Sequence, residues 1–143
     1  MSQWDRLQMD AKITQILDVQ SHDPNHHFGR PFLTPYQIAI RFQQQFPHDF
    51  QTIGKPIGGK GTGQQDSLAQ YIALELSKRI KSGNITNIEG RFLHRAYLHS
   101  LKYEANNQKR EMRVRSLIVH SWFVINSTFK ENLVFQPPTR VFL

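Results

Sequence analysis

Cysteine is absent from this chain of 143 residues. Its absence excludes disulfide scaffolds, thiolate zinc sites and cysteine nucleophiles in one step, and it accords with a reducing compartment. Long apolar runs are absent too. The longest, Leu117 to Ile125, is broken by His120 and Ser121, well short of the ~18 residues a membrane helix needs. No stretch sets Lys and Arg against a long, clean apolar face, so a membrane surface is not the expected partner. The first ten residues lack the basic-then-apolar order of a secretory signal, and the expected location is the cytoplasm. Acidic residues are scarce, 11 against 18 Lys and Arg, for a net charge of +7.

What is present suits a folded chain. Ten Phe, four Tyr and two Trp supply bulky core side chains, and a chain of this length folds as one domain, 1–143, without a metal or disulfide. The charge is unevenly spread. Residues 1–50 carry four basic and five acidic side chains, whereas residues 51–143 carry fourteen and six. Between Lys78 and Arg115 ten basic residues meet only Glu89, Glu104 and Glu111. Positive charge concentrated in this way is the footprint of a polyanion binder.

Periodicity predicts a helix over Ser2–Val19, with Ser2 and Asp5 as a capping box and Trp4, Leu7, Ala11 and Thr14 on one stripe. Ile13, Ile16 and Leu17 widen it, and the cluster from Ser21 to Asn25 ends it. A second helix is predicted over Thr34–Phe46. Thr34 caps it, Pro35 takes the first helical position, Gln37 completes a capping box, and Leu33 and Ile38 are placed as a hydrophobic staple. Pro47 is read as its stop, with a long loop over residues 47–64. A third helix follows, with Asp66 as cap, Leu68, Ile72, Leu76 and Ile80 on its apolar stripe, and Gly83 as terminator. Beyond Ile85 apolar and polar residues alternate around Glu104–Lys109, which reads as a turn. The predicted result is two long strands in a hairpin. A helix over Glu89–Glu104 competes, because Leu93, Tyr97 and Leu101 also share a helical face. The expected fold is therefore α+β, three N-terminal helices followed by a basic β-hairpin. Asn132–Leu143 is read as an added edge strand.

Three helices and then a basic hairpin resemble the winged helix-turn-helix in order, and the run from Leu33 to Ala39 is similar to the first helix of many such motifs. The resemblance implies a DNA-binding, winged-helix-like domain in which the third helix approaches the duplex and the hairpin contacts its flank. The connection of about eighteen residues between the second and third helices departs from the three or four usual in that motif.

Candidate chemistry is scattered. Gly54-x-x-x-x-Gly59-Lys60 matches the start of a phosphate-binding P-loop, but Gly61 stands where magnesium needs Ser or Thr, and Thr62 comes one place late. Nucleotide hydrolysis is not expected, nor any cofactor. Backbone amides, Lys55, Lys60 and a following helix start would still hold an anion. The third helix would show Gln64, Gln65, Ser67, Gln70, Ser77, Lys78 and Lys81 outward, residue types that meet base edges and phosphates. On the hairpin, Arg91, Arg95, Lys102, Lys109, Arg110, Arg113 and Arg115 alternate with aromatic residues and would track a backbone. His22, Asp23, His26 and His27 match no standard metal spacing, so no metal is expected. Arg115 and His120, with Arg-x4-His spacing, are similar to the motif of the HEPN ribonucleases. That resemblance implies these two as catalytic residues, positioning a phosphodiester and moving a proton.

The expected function is a non-enzymatic nucleic-acid-binding protein, with DNA the favoured form, that uses Lys55, Lys60, Gln65, Gln70, Lys78, Lys81, Arg91, Arg95, Lys109, Arg110, Arg113 and Arg115. The alternatives are a small HEPN-like ribonuclease, and a basic inhibitor or interaction module for an acidic protein.

Overall fold

The structure is a computed structural model and describes residues 1–19, 31–58, 66–94, 96–113 and 121–125. Its elements are α1 (Gln3–Arg6), α2 (Met9–Leu17), α3 (Pro35–Gln45), α4 (Pro47–Ile53), α5 (Leu68–Ser82), β1 (Ile88–Phe92), β2 (Ser100–Ala105), β3 (Gln108–Arg113) and β4 (Ser121–Ile125). Helices come first and antiparallel strands after, so the chain is α+β. Periodicity predicts three helices among residues 1–83, and five are present among the described residues.

The predicted first helix is two. Gln8 adopts a left-handed conformation, φ 53°, between α1 and α2. In one unbroken helix Trp4 and Ile13 would lie about 180° apart around the axis, at 100° per residue. They could not then enter the same core. The break turns α1 so that Trp4 is buried together with Met9, Ile13, Ile16 and Leu17. The predicted stripe shifts accordingly: Ala11 is exposed and Thr14 half-buried. Ser2 caps α1 as expected, accepting from the Asp5 amide at 3.2 Å.

The second predicted helix is α3. Thr34 accepts from the Gln37 amide while the Gln37 side chain accepts from the Thr34 amide, a complete capping box with Pro35 in the first turn. Leu33 and Ile38 both belong to the core. Pro47 does end α3, but the long loop predicted after it begins with a further helix. Phe46 serves as C-cap of α3 and N-cap of α4, and Pro47, needing no amide partner and preset in φ, starts α4. The third predicted helix is α5, and its cap is Ser67 rather than Asp66: the Ser67 hydroxyl accepts from the Gln70 amide at 3.1 Å. Gly83 closes the helix at φ 83°, as expected from a left-handed C-cap glycine.

The strands form two antiparallel two-stranded sheets, nested in sequence and together termed the ribbon. β2 and β3 pair antiparallel around Asn106-Asn107, whose φ values of 54° and 62° mark a type I′ turn. β1 and β4 pair antiparallel outside them, Phe92 opposite Ser121. The two ladders are in phase, since the interval between them is seven residues on either arm, 93–99 and 114–120. A hairpin with the predicted tip is therefore present in β2 and β3, but among the described residues the predicted first strand does not continue through 93–99, and 114–120 of the predicted second strand lie outside the described residues. Tyr97 lies at φ 64°, outside any strand conformation. The competing helix over Glu89–Glu104 is not adopted. The predicted edge strand over Asn132–Leu143 lies outside the described residues.

The core gathers α2, α3 and α5 around Ile13, Ile16, Leu17, Ile38, Phe42, Leu68, Ile72 and Leu76, and Ile85, Ile88 and Met112 bring in the start and inner face of the ribbon. Ile57 anchors the connection into α5. Next to it Gly58, at φ 115°, gives its carbonyl to the Tyr36 hydroxyl. A Cβ there would stand 2.9 Å from the Ser67 side chain, so both conformation and space require glycine. Among the described residues no helix is long and apolar enough to cross a membrane.

Candidate functional site

α5 separates its residues by face. Leu68, Ala69, Ile72, Ala73 and Leu76 turn into the core. On the opposite side Gln70, Leu74, Ser77, Lys78 and Lys81 fall within a stripe about 100° wide, with Leu74, Lys78 and Lys81 exposed and Gln70 and Ser77 half-buried. Of the outward face predicted for this helix, Ser67 is instead buried at the cap, and Gln64 and Gln65 lie outside the described residues.

The acid of this helix sits off that stripe. Glu75 pairs with Arg79, whose guanidinium also lies 3.9 Å from Asp5 and 4.8 Å from the centre of the Trp4 ring. Trp4 in turn donates to Asp10 at 2.5 Å and meets Tyr71 edge-on. Arg79 is thus occupied in holding α1 against α5. Lys78 stands 3.5 Å from Glu75 but remains mostly exposed, and Lys81 has no ion pair among the described residues. The net effect is a helical stripe that carries no carboxylate of its own and bears two exposed ammonium groups.

The glycine-rich connection fares differently. The first three amides of α5 already have acceptors: Leu68 donates to the Pro56 carbonyl at 2.7 Å, Ala69 to Ile57 at 3.2 Å, and Gln70 to Ser67. Lys55 pairs with Asp66 at 2.5 Å and lies over the Tyr71 ring. Neither the helix start nor Lys55 is open to a phosphate. The segment before the glycines is α4, a helix, where a P-loop requires a strand. Lys60 and the rest of that loop lie outside the described residues.

On the ribbon, register sorts the charges. Leu101, Tyr103, Ala105 and Met112 face the helices and join the core. Tyr103 stacks on Tyr36, ring centres 4.7 Å apart. Arg110, opposite Tyr103 in the ladder, is half-buried, donates to Gln108 at 2.5 Å and lies beside the Tyr36 hydroxyl, so its guanidinium is held against the fold. Burial pushes both phenols above their ordinary value, with Arg110 drawing that of Tyr36 part of the way back. The outer face carries Lys102 opposite Glu111 and Lys109 opposite Glu104. Arg113 stands opposite Ser100. This face is therefore mixed in sign, less basic than the raw count predicts. Lys102 and Lys109 are both exposed. Arg91, also exposed, shares its charge with Glu89 at 2.5 Å.

The alternation that predicts a strand over 93–99 hides two residues. Phe92 is 64% exposed and Tyr97 fully so. They are legible only as aromatic residues in a stretch, Gly90 to Tyr103, that holds three Lys or Arg, two His and no acid. Arg95, Arg115 and His120 lie outside the described residues, as do Gln65 and the cluster His22, Asp23, His26 and His27. Among the described residues no group of three or more His, Cys, Asp or Glu stands together to hold a metal. Comparison of the chain with protein-family models, with curated proteins and with solved structures finds no match.

Proposed function

We propose that this chain is a non-enzymatic nucleic-acid-binding domain of winged-helix-like arrangement. The observation that carries the reading is the outward stripe of α5, where Lys78 and Lys81 stand exposed beside Gln70 and Ser77 while Glu75, shared between Arg79 and Lys78, lies off the stripe. Ammonium and amide side chains on one outward helical face suit phosphates and base edges. Support comes from the order of elements, α2, α3 and α5 packed together and a ribbon after them, in which Lys102 and Lys109 lie on the outer face near the tip. α4 and the glycine-rich connection take the place of the short turn found in a helix-turn-helix. DNA is the favoured form.

The test is fluorescence-anisotropy titration with duplex DNA, single-stranded DNA and RNA at two salt concentrations, scoring substrate integrity afterwards. Binding is expected to fall with salt, and the substrate to stay intact. The double variant Lys78→Glu, Lys81→Glu is expected to weaken binding by more than 10-fold, on the order of 1.4 kcal/mol. Its salt slope is expected to flatten by about 0.9 for each phosphate that the chain no longer neutralises. Unaltered affinity in that variant would remove α5 from the interface. No binding by the parent chain at low salt would overturn the proposal.

A further inference from the structure

We infer that the connection between β1 and β2 is a stacking platform for unpaired bases, so that the nucleic acid is single-stranded where it crosses this segment. The inference rests on the nucleic-acid reading above. The Trp, Tyr and Phe side chains of the helices and of β2 are buried or half-buried, whereas Phe92 and Tyr97 present their rings to solvent at 64% and full exposure. Neither makes a ring contact among the described residues.

The backbone is arranged to hold Tyr97 there. The His94 ring nitrogen Nδ1 accepts from the Ala96 amide at 3.1 Å, which closes a turn, and Tyr97 follows at φ 64°. A bulky residue is disfavoured in that conformation, and such outliers gather at functional sites. The surroundings match a polyanion. From Gly90 to Tyr103 the sequence has Arg91, Arg95, Lys102, His94 and His99 and no acid, and although Arg91 is shared with Glu89 and Lys102 stands opposite Glu111, the segment stays net basic. Exposed rings among cations are the composition of single-strand binders, because each base offers a π-face and each phosphate a charge. A duplex keeps its bases stacked on one another and has no face to offer.

The test uses the full chain with three probes of equal length: oligothymidylate, an abasic backbone oligomer, and a duplex. Oligothymidylate is expected to bind more tightly than the abasic strand. Phe92→Ala and Tyr97→Gly are each expected to weaken oligothymidylate binding by about 5-fold to 100-fold, with abasic and duplex affinities and the salt slope unchanged. Tyr97→Trp is expected to keep or exceed the parent affinity. Glycine is at ease at positive φ, so Tyr97→Gly is expected to hold or raise the unfolding midpoint, which separates a stacking defect from a folding defect. Equal binding of thymidylate and abasic strands, or variants that bind thymidylate as the parent does, would overturn the platform while duplex binding left the broader reading intact. A weakening shared equally by all three probes would also overturn it. No binding of any probe would overturn both.

Discussion

Tyr36 and Tyr103 show how one stacked pair joins the ribbon to the helices. Tyr36 gives its hydroxyl to the Gly58 carbonyl. The Tyr103 hydroxyl is buried beside Thr34 without a hydrogen bond of good geometry, because the Thr34 hydroxyl is engaged in its own cap with Gln37. Burial raises the phenols of Tyr36, Tyr71 and Tyr103 above the ordinary value of 10.0. A group raised on folding contributes stability that is whole below its unfolded value and is lost as pH climbs through the folded one. Stability is therefore expected to fall above about pH 10, and tyrosinate absorbance to rise later in the folded than in the urea-unfolded chain. Tyr103→Phe deletes a buried hydroxyl that makes no hydrogen bond of good geometry among the described residues, so it is expected to change stability by less than about 1 kcal/mol in urea unfolding. A larger loss would mean that the hydroxyl is bonded after all.

Among the elements, the start of α5 offers the sharpest contrast. Two adjacent residues are good caps by type, Asp66 and Ser67, and only the serine bonds an amide of the helix. Ser67→Ala is expected to lower stability by about 1 kcal/mol. Asp66→Ala, which loses only an ion pair with its carboxylate exposed, is expected to cost under about 1 kcal/mol. A larger loss for the aspartate in thermal unfolding would reverse this assignment. α3 was legible in the sequence because its signals are local: Thr34, Pro35 and Gln37 act within one turn. The break at Gln8 was not, since it arises from the need to bury Trp4 beside residues on the far side of a straight helix. α4 stayed hidden because Pro47 is both a good stop and a good start, and only the chain after it decides. The strand expected at 93–99 failed for a similar reason. Alternation is a property of side chains, and the positive φ of Tyr97 is a property of the backbone.

For the whole molecule, net charge proved a coarser guide than position. Lys78 and Lys81 could be placed outward from helical spacing alone. That Arg79 also reaches Asp5 and Trp4, that Lys55 lies against Asp66 and Tyr71, and that Arg110 lies beside Tyr36 could not, because those partners come from elsewhere in the fold. The tip of the ribbon was legible, as two asparagines between alternating runs suit positive φ. Asn107→Gly, the residue that a type I′ turn prefers there, is expected to hold or raise the urea-unfolding midpoint, because the ease of glycine at positive φ offsets the entropy it adds to the unfolded chain. A loss of stability would mean that the asparagine side chain is needed at the turn.

The shared phase of the two ladders also sets an order of assembly. Closing β1 on β4 directly would require a loop of 28 residues, 93–120. Once β2 and β3 have zipped from the Asn106-Asn107 turn, the free chain left to close is the two seven-residue arms, half as much. Halving a loop lowers its closure cost by only about 0.6 kcal/mol, but the inner hairpin is local and can form within microseconds. The tip is thus the natural nucleus of the ribbon, and the docking of β4 near α2 and α3 is a late step that inherits its register from the Asn106-Asn107 turn.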